Sequence, residues 1–390
     1  MSKINLIATA TFGLEAVVAR EVKRLGYEDV TVENARVSFF ADYEAICRGN
    51  LWLRSADRVL VKMGEFTATT FEELFEQTKA LPWGDWLPEN ACFPVEGKSI
   101  KSGLFSVPDC QAIVKKAVVE KMKQKYHRKW FDENGPRYTI EVALLKDVAT
   151  LTIDTSGAGL HKRGYRKLSS AAPLKETLAA AMINLSRWHP DRLLIDPFCG
   201  SGTIPIEAAM IGLNMAPGMQ REFAAQKWPV IPNGLWRRAF EEAQDAVQHR
   251  ELKIRGTDID KDVISMARYH AKQAGVDKYI HFQQMPVSEL KTKDKFGYII
   301  CNPPYGERLS DANEVEKLYR EMSDVFGRLD TWSFYVLTAH PGFERLFGRI
   351  VEKKRKLYNG RIQCNYFQYP GPKTPNLILK RETPIDTISE

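Results

Sequence analysis

The chain has 390 residues, of which 44% are hydrophobic and 27% are charged, and it carries a formal net charge of +7. No apolar stretch approaches the roughly 20 residues of a membrane helix and no signal peptide is evident, so we expect a cytoplasmic protein of two or three domains. The six cysteines have no short paired spacing, which argues against a structural zinc site and against a disulfide framework.

Residues 1–65 predict a small α+β domain, with strands at 4–8, 30–32, 36–40 and 59–63 and a helix at 14–25 that Gly26 ends. The segment 66–155 has a different pattern and predicts a second α+β unit. Its expected helices are at 71–79 and 109–127, with Asp109 as the N-cap of the second helix. Its expected strands are at 93–95, 137–145 and 149–153, and the last two are joined by a tight turn.

The predicted helix at 109–127 has a basic surface. Apolar residues recur at helical spacing and predict a buried face. Seven Lys or Arg occur in residues 115–129 against one acid, Glu120. A solvated helix face explains most lysine-rich helices, but this imbalance favours contact with nucleic acid. The candidate RNA-binding residues of this stretch are Lys115, Lys116, Lys123 and Arg128.

Residues 156–172 are rich in glycine and basic residues and predict a linker, in which Lys162, Arg163 and Arg166 are further RNA-binding candidates. From 173 to 375 the pattern changes to alternating strands and helices, which is typical of a mostly parallel sheet with helices on both faces. Asn359-Gly360 predicts a hairpin turn between two final strands. Residues 376–390 have the composition of a tail.

A glycine loop follows the first strand of this predicted sheet. Asp196-Pro-Phe-Cys-Gly-Ser-Gly-Thr203 ends the strand and begins a helix, and its two glycines allow close approach to a ligand. A dinucleotide-binding loop would have a third glycine where Pro205 stands. A carboxylate at Asp196 would repel a pyrophosphate but suits a ligand amine. The loop therefore favours a nucleoside with a charged amino-acid tail. Its candidate cofactor-binding residues are Asp196, Phe198, Gly200, Ser201, Gly202 and Thr203.

Two more loops follow later strands of the same sheet. Asp258 ends the second strand, where an acid commonly accepts both ribose hydroxyls, whereas Asp260 precedes a helix and is expected to be its N-cap. The tetrapeptide Asn302–Tyr305 ends a buried strand. Its amide, prolyl carbonyls and aromatic ring suit a planar base with an exocyclic amine. A proline turn that only ends a strand has the same local pattern, but three such loops at one sheet edge indicate a ligand site.

With these loops, residues 160–370 resemble a class I S-adenosylmethionine-dependent methyltransferase that modifies exocyclic amines of nucleobases. The whole chain is similar to the bacterial THUMP-domain 23S rRNA guanine-N2 methyltransferases. The shared motifs are LHKRGYR at 160–166, APLKETLA at 172–179, MAPGM at 215–219, NPPYGER at 302–308 and LYNG at 357–360. The resemblance implies a ferredoxin-like domain at 1–65, a THUMP RNA-binding domain at 66–155 and a methyltransferase domain at 173–375. It also implies S-adenosyl-L-methionine as cofactor and 23S rRNA, or a large-subunit precursor, as partner.

The resemblance assigns a role to each loop. Asp196, Gly200 and Gly202 would hold the methionine end of the cofactor, and Asp258 its ribose. The catalytic candidates, which would present the target base, are Asn302, Pro303, Pro304 and Tyr305, with the tyrosine ring receiving a base flipped from the RNA. One departure concerns the cofactor adenine. The family commonly has an Asp after the third strand, and Pro286 takes that place here, so this contact falls to backbone groups or to a neighbour such as Gln284.

Three other functions remain open. The same tetrapeptide serves adenine-N6 methyltransferases on RNA or DNA, so the choice of guanine rests on the resemblance. A non-catalytic RNA-binding factor in ribosome assembly would retain the same methyltransferase fold, and the only residue that favours this alternative is Pro286. A dinucleotide-dependent oxidoreductase is disfavoured by Asp196 and Pro205. We expect one methyltransferase activity per chain and no metal.

Overall fold

The computed structural model describes residues 3–168, 174–305 and 312–373. Two seven-stranded sheets organise these residues. The N-terminal half contains β1 (Ile4–Ala10), α1 (Glu15–Arg24), β2 (Val30–Glu33), β3 (Arg36–Ala41), α2 (Tyr43–Trp52), β4 (Ala56–Thr67), α3 (Phe71–Ala80), α4 (Trp83–Trp86), β5 (Val95–Ile100), α5 (Val107–Tyr126), β6 (Thr139–Leu145) and β7 (Val148–Asp154).

The C-terminal half begins after the linker and alternates helices with strands. It contains α6 (Glu176–Ser186), β8 (Leu194–Asp196), α7 (Thr203–Gly212), α8 (Asn233–Asp245), β9 (Ile254–Asp258), α9 (Lys261–Ala274), β10 (Ile280–Gln284), β11 (Tyr298–Cys301), α10 (Ala312–Gly327), β12 (Ser333–Thr338), α11 (Phe343–Phe347), β13 (Lys353–Asn359) and β14 (Ile362–Tyr369). Short 3₁₀ turns lie at Ala224–Lys227, Asp277–Tyr279 and Val287–Glu289. Within the described ranges, no helix is long and apolar enough to cross a membrane.

One sheet runs through the whole N-terminal half, in the order β2-β3-β1-β4-β7-β6-β5. The strand that joins its two parts is β4, which has 12 residues. Its first half pairs with β1 and its second half pairs with β7, both antiparallel. The segments 1–65 and 66–155, which the sequence predicts as separate units, therefore share a continuous hydrogen-bonded sheet and one hydrophobic core.

Two local predictions in this half differ from the structure. The helix α2 was not expected, because its sequence YEAICRGNLW combines a glycine with aromatic and other residues of modest helix propensity. It is stabilised by Asp42, whose side chain accepts hydrogen bonds from the backbone of Glu44 and Ala45. The helix α5 begins at Val107, so Asp109 lies in its first turn and is not its N-cap. Pro108 lies in the first turn, where backbone N–H groups have no partner within the helix, so its missing N–H costs no hydrogen bond.

The C-terminal sheet has the order β10-β9-β8-β11-β12-β14-β13. The first five strands in this order are parallel, and β14 pairs antiparallel with both β12 and β13. Alternate residues of β11 face opposite sides: Ile300 lies in the core with α6, α7 and α9, whereas Ile299 and Cys301 lie in the core with α10 and α11. The parallel sheet is therefore covered by helices on both faces, as the sequence predicted.

The two halves are joined by an insertion between α7 and β9. Trp228 stacks on Tyr138 of the N-terminal half with ring centroids 4.3 Å apart, and its indole N–H donates to the Arg137 carbonyl at 3.0 Å. The helix α8 packs on α2, where Arg48 pairs with Glu242 at 2.8 Å. These contacts fasten the N-terminal sheet to the C-terminal one.

Candidate active site

A cleft of about 600 Å³ opens at the carboxyl ends of β8, β9 and β11. The sheet continues from β8 through β9 to β10 on one side, and from β11 to β12 on the other. Ligands of open α/β sheets bind at the switch point where the strand order reverses in this way. The structure thus brings the three predicted loops into one cleft. Its lining residues are Pro197, Phe198 and Gly200 after β8; Asp258, Ile259, Asp260 and Val263 after β9; Pro286 and Val287 after β10; Asn302 and Pro304 after β11; and Glu314, Lys317, Leu318 and Glu321 on α10.

The glycine loop needs both of its glycines. Gly200 and Gly202 have φ values of 50° and 87°, in the left-handed region that side chains rarely adopt. A Cβ atom at Gly202 would lie 3.0 Å from the Cβ of Ala267 and 3.2 Å from the ring of Phe282, whereas one at Gly200 would meet no protein atom within 4 Å. Gly202 therefore closes the turn against α9, and Gly200 faces the open space of the cleft.

Two carboxylates support this loop in different ways. Asp196 is buried beneath it and accepts a hydrogen bond from the Phe198 N–H at 3.1 Å. Burial raises the pKa of Asp196 well above its ordinary value. Asp258 lines the cleft and accepts from the Gly200 N–H at 2.9 Å and from the Asp260 N–H at 3.1 Å. Burial also raises the pKa of Asp258. Asp260 caps α9, as predicted, by accepting from two backbone N–H groups of its first turn.

Asn302 lines the cleft and has an unused hydrogen-bond acceptor. Its side-chain oxygen is buried and has no hydrogen-bond partner among the described residues. The backbone beside it is fixed, because the Pro304 carbonyl accepts from the Tyr319 hydroxyl at 3.1 Å and that hydroxyl also pairs with Thr338 at 2.8 Å. Several buried side-chain oxygens among the described residues have no partner, and the oxygen of Asn302 is the one that belongs to a residue lining the cleft. An N–H group of a bound ligand would satisfy it.

Tyr305 lies in the core and not in the cleft wall. Its side chain is 5% exposed. Its hydroxyl lies 3.4 Å from the Asn359 side-chain nitrogen and 3.5 Å from the Cys364 sulfur, both on the terminal hairpin. A ring enclosed in this way offers no free face to a base, which corrects the stacking role expected from the sequence. Residues 306–308 of the same motif, and residues 172 and 173 of the motif before α6, lie outside the described residues.

Ser201 and Thr203 were predicted to bind the cofactor, but their side chains also point away from the cleft. Their hydroxyls accept hydrogen bonds from the Arg166 guanidinium at 2.9 and 2.7 Å. Both residues are buried behind the loop. Of the predicted loop residues, Phe198 and Gly200 line the cleft directly.

An apolar slot occupies the end of the cleft beside β10. Ile259 is 70% exposed there, and Pro286, Val287 and Leu318 line the same cleft. The Gln284 side chain donates to the Ile259 carbonyl at 3.0 Å, so its amide nitrogen is already engaged. The contribution of α10 was missed from the sequence. Its signal is a second stripe on an amphipathic helix, at positions 314, 317, 318 and 321.

The basic residues of α5 and its C-terminal end lie at the surface of the N-terminal half. Lys115 pairs with Glu133 at 2.5 Å, Lys123 with Glu120 at 2.9 Å and Arg128 with Glu89 at 2.7 Å. The Lys116 ammonium lies 5.6 Å from the centre of the Phe75 ring, and Lys162 of the linker is exposed. Partly exposed ion pairs are weak, so these cations can exchange their partners for phosphates.

The other two basic candidates of the linker are occupied inside the protein. Arg163 is 3% exposed, pairs with the buried Glu207 at 3.3 Å and donates to the carbonyls of Arg54 and Leu160. Arg166 pairs with Glu176 at 2.7 Å. The expectation that Arg163 contacts RNA is therefore wrong, because its guanidinium has no access to solvent. The guanidinium of Arg166 is likewise directed at the glycine loop.

A sheet of this order, with a glycine loop after the first strand and an Asn-Pro-Pro-Tyr loop after the fourth, has the fold of class I methyltransferases. The family described as RMKL-like, methyltransferase domain matches residues 163–368. The RlmL ferredoxin-like domain matches residues 5–60, and the THUMP domain matches residues 68–154. The chain belongs to the RMKL-like methyltransferase family, which confirms the resemblance and the fold class inferred from the sequence.

Relatives with similar sequences carry related names. The chain is 52% identical over 372 residues to a protein of Bacillus subtilis (strain 168) named putative RNA methyltransferase YpsC, a match that covers 95% of this chain and 96% of the relative. It is 33% identical over 384 residues to the ribosomal RNA large subunit methyltransferase K/L of Syntrophotalea carbinolica, which covers 94% of this chain and 53% of the relative. The chain thus spans about half the length of the K/L protein.

Solved structures of similar proteins cover nearly the whole of this chain. One is described as a predicted N6-adenine-specific DNA methylase from Listeria monocytogenes str. 4b F2365; it is 54% identical, with a TM-score of 0.91 and coverage of 95% of this chain and 97% of that chain. Another is SMU.472, described as a putative methyltransferase complexed with SAH (S-adenosylhomocysteine). It is 46% identical, with a TM-score of 0.91 and coverage of 96% of this chain and 100% of that chain.

Proposed function

We propose that this protein transfers a methyl group from S-adenosylmethionine to the exocyclic N2 amine of a guanine in RNA, with 23S rRNA or its precursor as substrate. The family membership and the SAH complex of SMU.472 support the reaction and the cofactor. The THUMP domain and the name of the K/L relative support ribosomal RNA as the substrate. The observation that carries the proposal is the buried, unpartnered oxygen of Asn302 in a cleft that also contains Asp258.

The residues of the cleft fit this cofactor. The space beside Gly200 and the buried carboxylate of Asp196 suit the methionine end, because a ligand ammonium would favour the ionised form of that acid. The carboxylate of Asp258 retains lone pairs for the ribose hydroxyls. The slot formed by Ile259, Pro286, Val287 and Leu318 suits the flat apolar faces of adenine. S-adenosylmethionine would supply the methyl group: the bond from carbon to the sulfonium sulfur breaks, SAH leaves as a neutral thioether, and the methylated nitrogen releases one proton to solvent.

The target amine would be held by Asn302 and by the carbonyl of Pro303. Both are acceptors, so they can bind the two N–H bonds of an exocyclic amine and orient its nitrogen toward the cofactor end of the cleft. The hydrogen bonds that fix the Pro304 backbone preorganise this arrangement. A base in folded RNA must leave its stack to enter such a cleft. Tyr305 supports the loop from the core and is left out of this group.

A second candidate is methylation of adenine N6, because the acceptors of Asn302 and Pro303 suit either exocyclic amine. The description of the Listeria monocytogenes structure favours this alternative for that protein. One experiment separates the candidates. The protein is incubated with radiolabelled S-adenosylmethionine and unmodified 23S rRNA, 16S rRNA or genomic DNA, and the labelled nucleoside is identified after digestion.

We expect N2-methylguanosine in 23S rRNA. Labelled N6-methyladenosine would favour the second candidate instead. Absence of label from every substrate, with SAH binding retained, would contradict both and favour a non-catalytic role in ribosome assembly. The variant Asn302→Ala serves as the control, because it removes the proposed amine acceptor and leaves the glycine loop and Asp258 in place.

A further inference from the structure

Arg166 connects the linker to the back of the glycine loop. Its Nε donates to the carboxylate of Glu176 at 2.7 Å, one terminal nitrogen donates to the Ser201 hydroxyl at 2.9 Å, and the other donates to the Thr203 hydroxyl at 2.7 Å and the Leu174 carbonyl at 3.4 Å. Every nitrogen of the guanidinium is thus engaged. Glu176, which fixes its orientation, is itself buried.

A second contact from the linker reaches the same turn. The Leu168 N–H donates to Nε2 of the buried His270 at 3.3 Å, and Nδ1 of that ring lies 3.2 Å from the Ser201 carbonyl. Because a backbone N–H can only donate, Nε2 is the acceptor, and Nδ1 carries the proton and donates a hydrogen bond to the Ser201 carbonyl. Burial lowers the pKa of His270, which favours this neutral form. Ser201 is therefore held through both its side chain and its main chain.

The position of this turn matters for the cleft. Gly200, which precedes Ser201, lines the cleft and donates to Asp258. Gly202, which follows Ser201, packs against α9 in a left-handed conformation. Glycine adopts this left-handed conformation without strain but adopts others as readily, so surrounding contacts must select it. The planar fork of an arginine can hold two hydroxyls and a carboxylate at once, whereas the point charge of a lysine cannot reproduce that geometry.

We propose that Arg166 is a positioning residue of the cofactor site. It holds the Ser201–Thr203 turn in the conformation that lets Gly200 and the loop backbone accept the methionine end of the cofactor. This inference rests on the proposed assignment of the glycine loop to S-adenosylmethionine. It replaces the interpretation of Arg166 as an RNA contact.

The test compares Arg166→Lys with Arg163→Lys. Both arginines belong to the same linker and both pair with a buried glutamate, but Arg163 contacts neither Ser201 nor Thr203. For each full-length variant, calorimetry gives the Kd for SAH, thermal unfolding shows that the protein is folded, and kinetics give separate KM values for S-adenosylmethionine and RNA. We expect Arg166→Lys to weaken SAH binding about tenfold or more, as expected for the loss of charge-assisted hydrogen bonds, and to raise only the KM for the cofactor.

The control should behave in the opposite way. Arg163→Lys should lower the unfolding temperature and leave the Kd for SAH of the folded protein within about twofold. If Arg166→Lys keeps wild-type affinity for SAH, or loses affinity for RNA instead, the proposal is overturned. Equal loss of SAH affinity in both variants would also overturn it. Failure of the wild-type protein to bind SAH would refute the proposed cofactor itself, so the two failures are distinct.

A second variant covers the case in which Arg166→Lys does not fold. The double substitution Ser201→Ala with Thr203→Val removes the hydroxyls that receive the guanidinium and should weaken SAH binding in the same way. Where Arg166→Lys does fold, adding it to the double variant should cause no further loss if the hydroxyls act through Arg166. Wild-type affinity for SAH in the double variant, or independent, additive losses in the combined variant, would refute positioning by Arg166 through these hydroxyls.

Discussion

Asn302→Ala should lower the rate of methylation strongly without destabilising the ligand-free protein. In most buried asparagines the amide is hydrogen-bonded, and its removal costs stability. The Asn302 oxygen has no partner among the described residues, so its deletion removes an unsatisfied group. Such a group costs about 1–3 kcal/mol, which offsets the packing lost with the side chain. We therefore expect the free energy of unfolding to change by less than about 1 kcal/mol.

The effect on catalysis should be much larger. Loss of one preorganised acceptor or donor at a reacting centre commonly lowers kcat by about 10²–10³. The glycine loop and Asp258 remain, so the Kd for SAH should stay within a few-fold of wild type. Urea denaturation, calorimetry with SAH and label transfer to RNA measure these three quantities separately.

A matched control is Asn50→Ala, at a buried asparagine in α2. Its amide nitrogen donates to the Ile46 carbonyl at 2.9 Å and the Thr155 hydroxyl at 2.8 Å, and its oxygen accepts from the Ser156 hydroxyl at 2.6 Å. This variant should lose about 2–3 kcal/mol of stability, at roughly 1 kcal/mol for each hydrogen bond, and keep its kcat. The reasoning about Asn302 would be refuted if Asn302→Ala lost as much stability as Asn50→Ala, or if it kept its activity within about tenfold of wild type.

Three more predictions concern the cleft and the core. Cofactor affinity should fall as pH falls through the raised pKa of Asp258, because only the carboxylate accepts two hydroxyls; calorimetry with SAH should show a pH dependence that Asp258→Asn reduces, with Asp196 accounting for the remainder. Gly202→Ala should lose more stability in urea denaturation than Gly275→Ala. Both residues have a left-handed φ, which costs about 1–2 kcal/mol for alanine, but only the Cβ at Gly202 meets neighbouring atoms, and equal losses would contradict this. Burial raises the pKa of the Cys47 thiol to about 12, and every cysteine except the half-buried Cys92 is buried. A thiol reagent should therefore modify about one cysteine rapidly in the native protein and the remainder only after unfolding.

The sequence was sufficient to predict the cleft because parallel strands bring their carboxyl ends to one edge. Asp258, Gly200 and Asn302 each follow a predicted strand, so local patterns located them, and the fold placed them together. The pairing of β4 with both β1 and β7 was not predictable in the same way. A strand pattern shows that a segment is extended but does not reveal how many partners it has.

The directions in which side chains point were also not predictable from the local sequence. Arg163 and Arg166 lie in a basic stretch that also contains the exposed Lys162, and the local pattern does not separate them. Their burial depends on Glu207 and Glu176, which only the folded chain brings near. Tyr305 was misplaced for a related reason, because the hairpin that encloses its ring comes more than 50 residues later. An aromatic ring in a motif is equally suited to a ligand and to a core.

The burial of the linker arginines follows from how the two halves are joined. The buried Glu21 of α1 accepts from the backbone of Arg54 and Ser55 and from the side chain of Asn184 on α6. Arg163 belongs to the same interface between the two halves, because it donates to the Arg54 carbonyl and pairs with Glu207 on α7. Together with the stacking of Trp228 on Tyr138, these contacts hold the basic surface of α5 at a fixed distance from the cleft. If RNA binds at α5, as the sequence predicts, it would have to span that distance to place a base in the cleft.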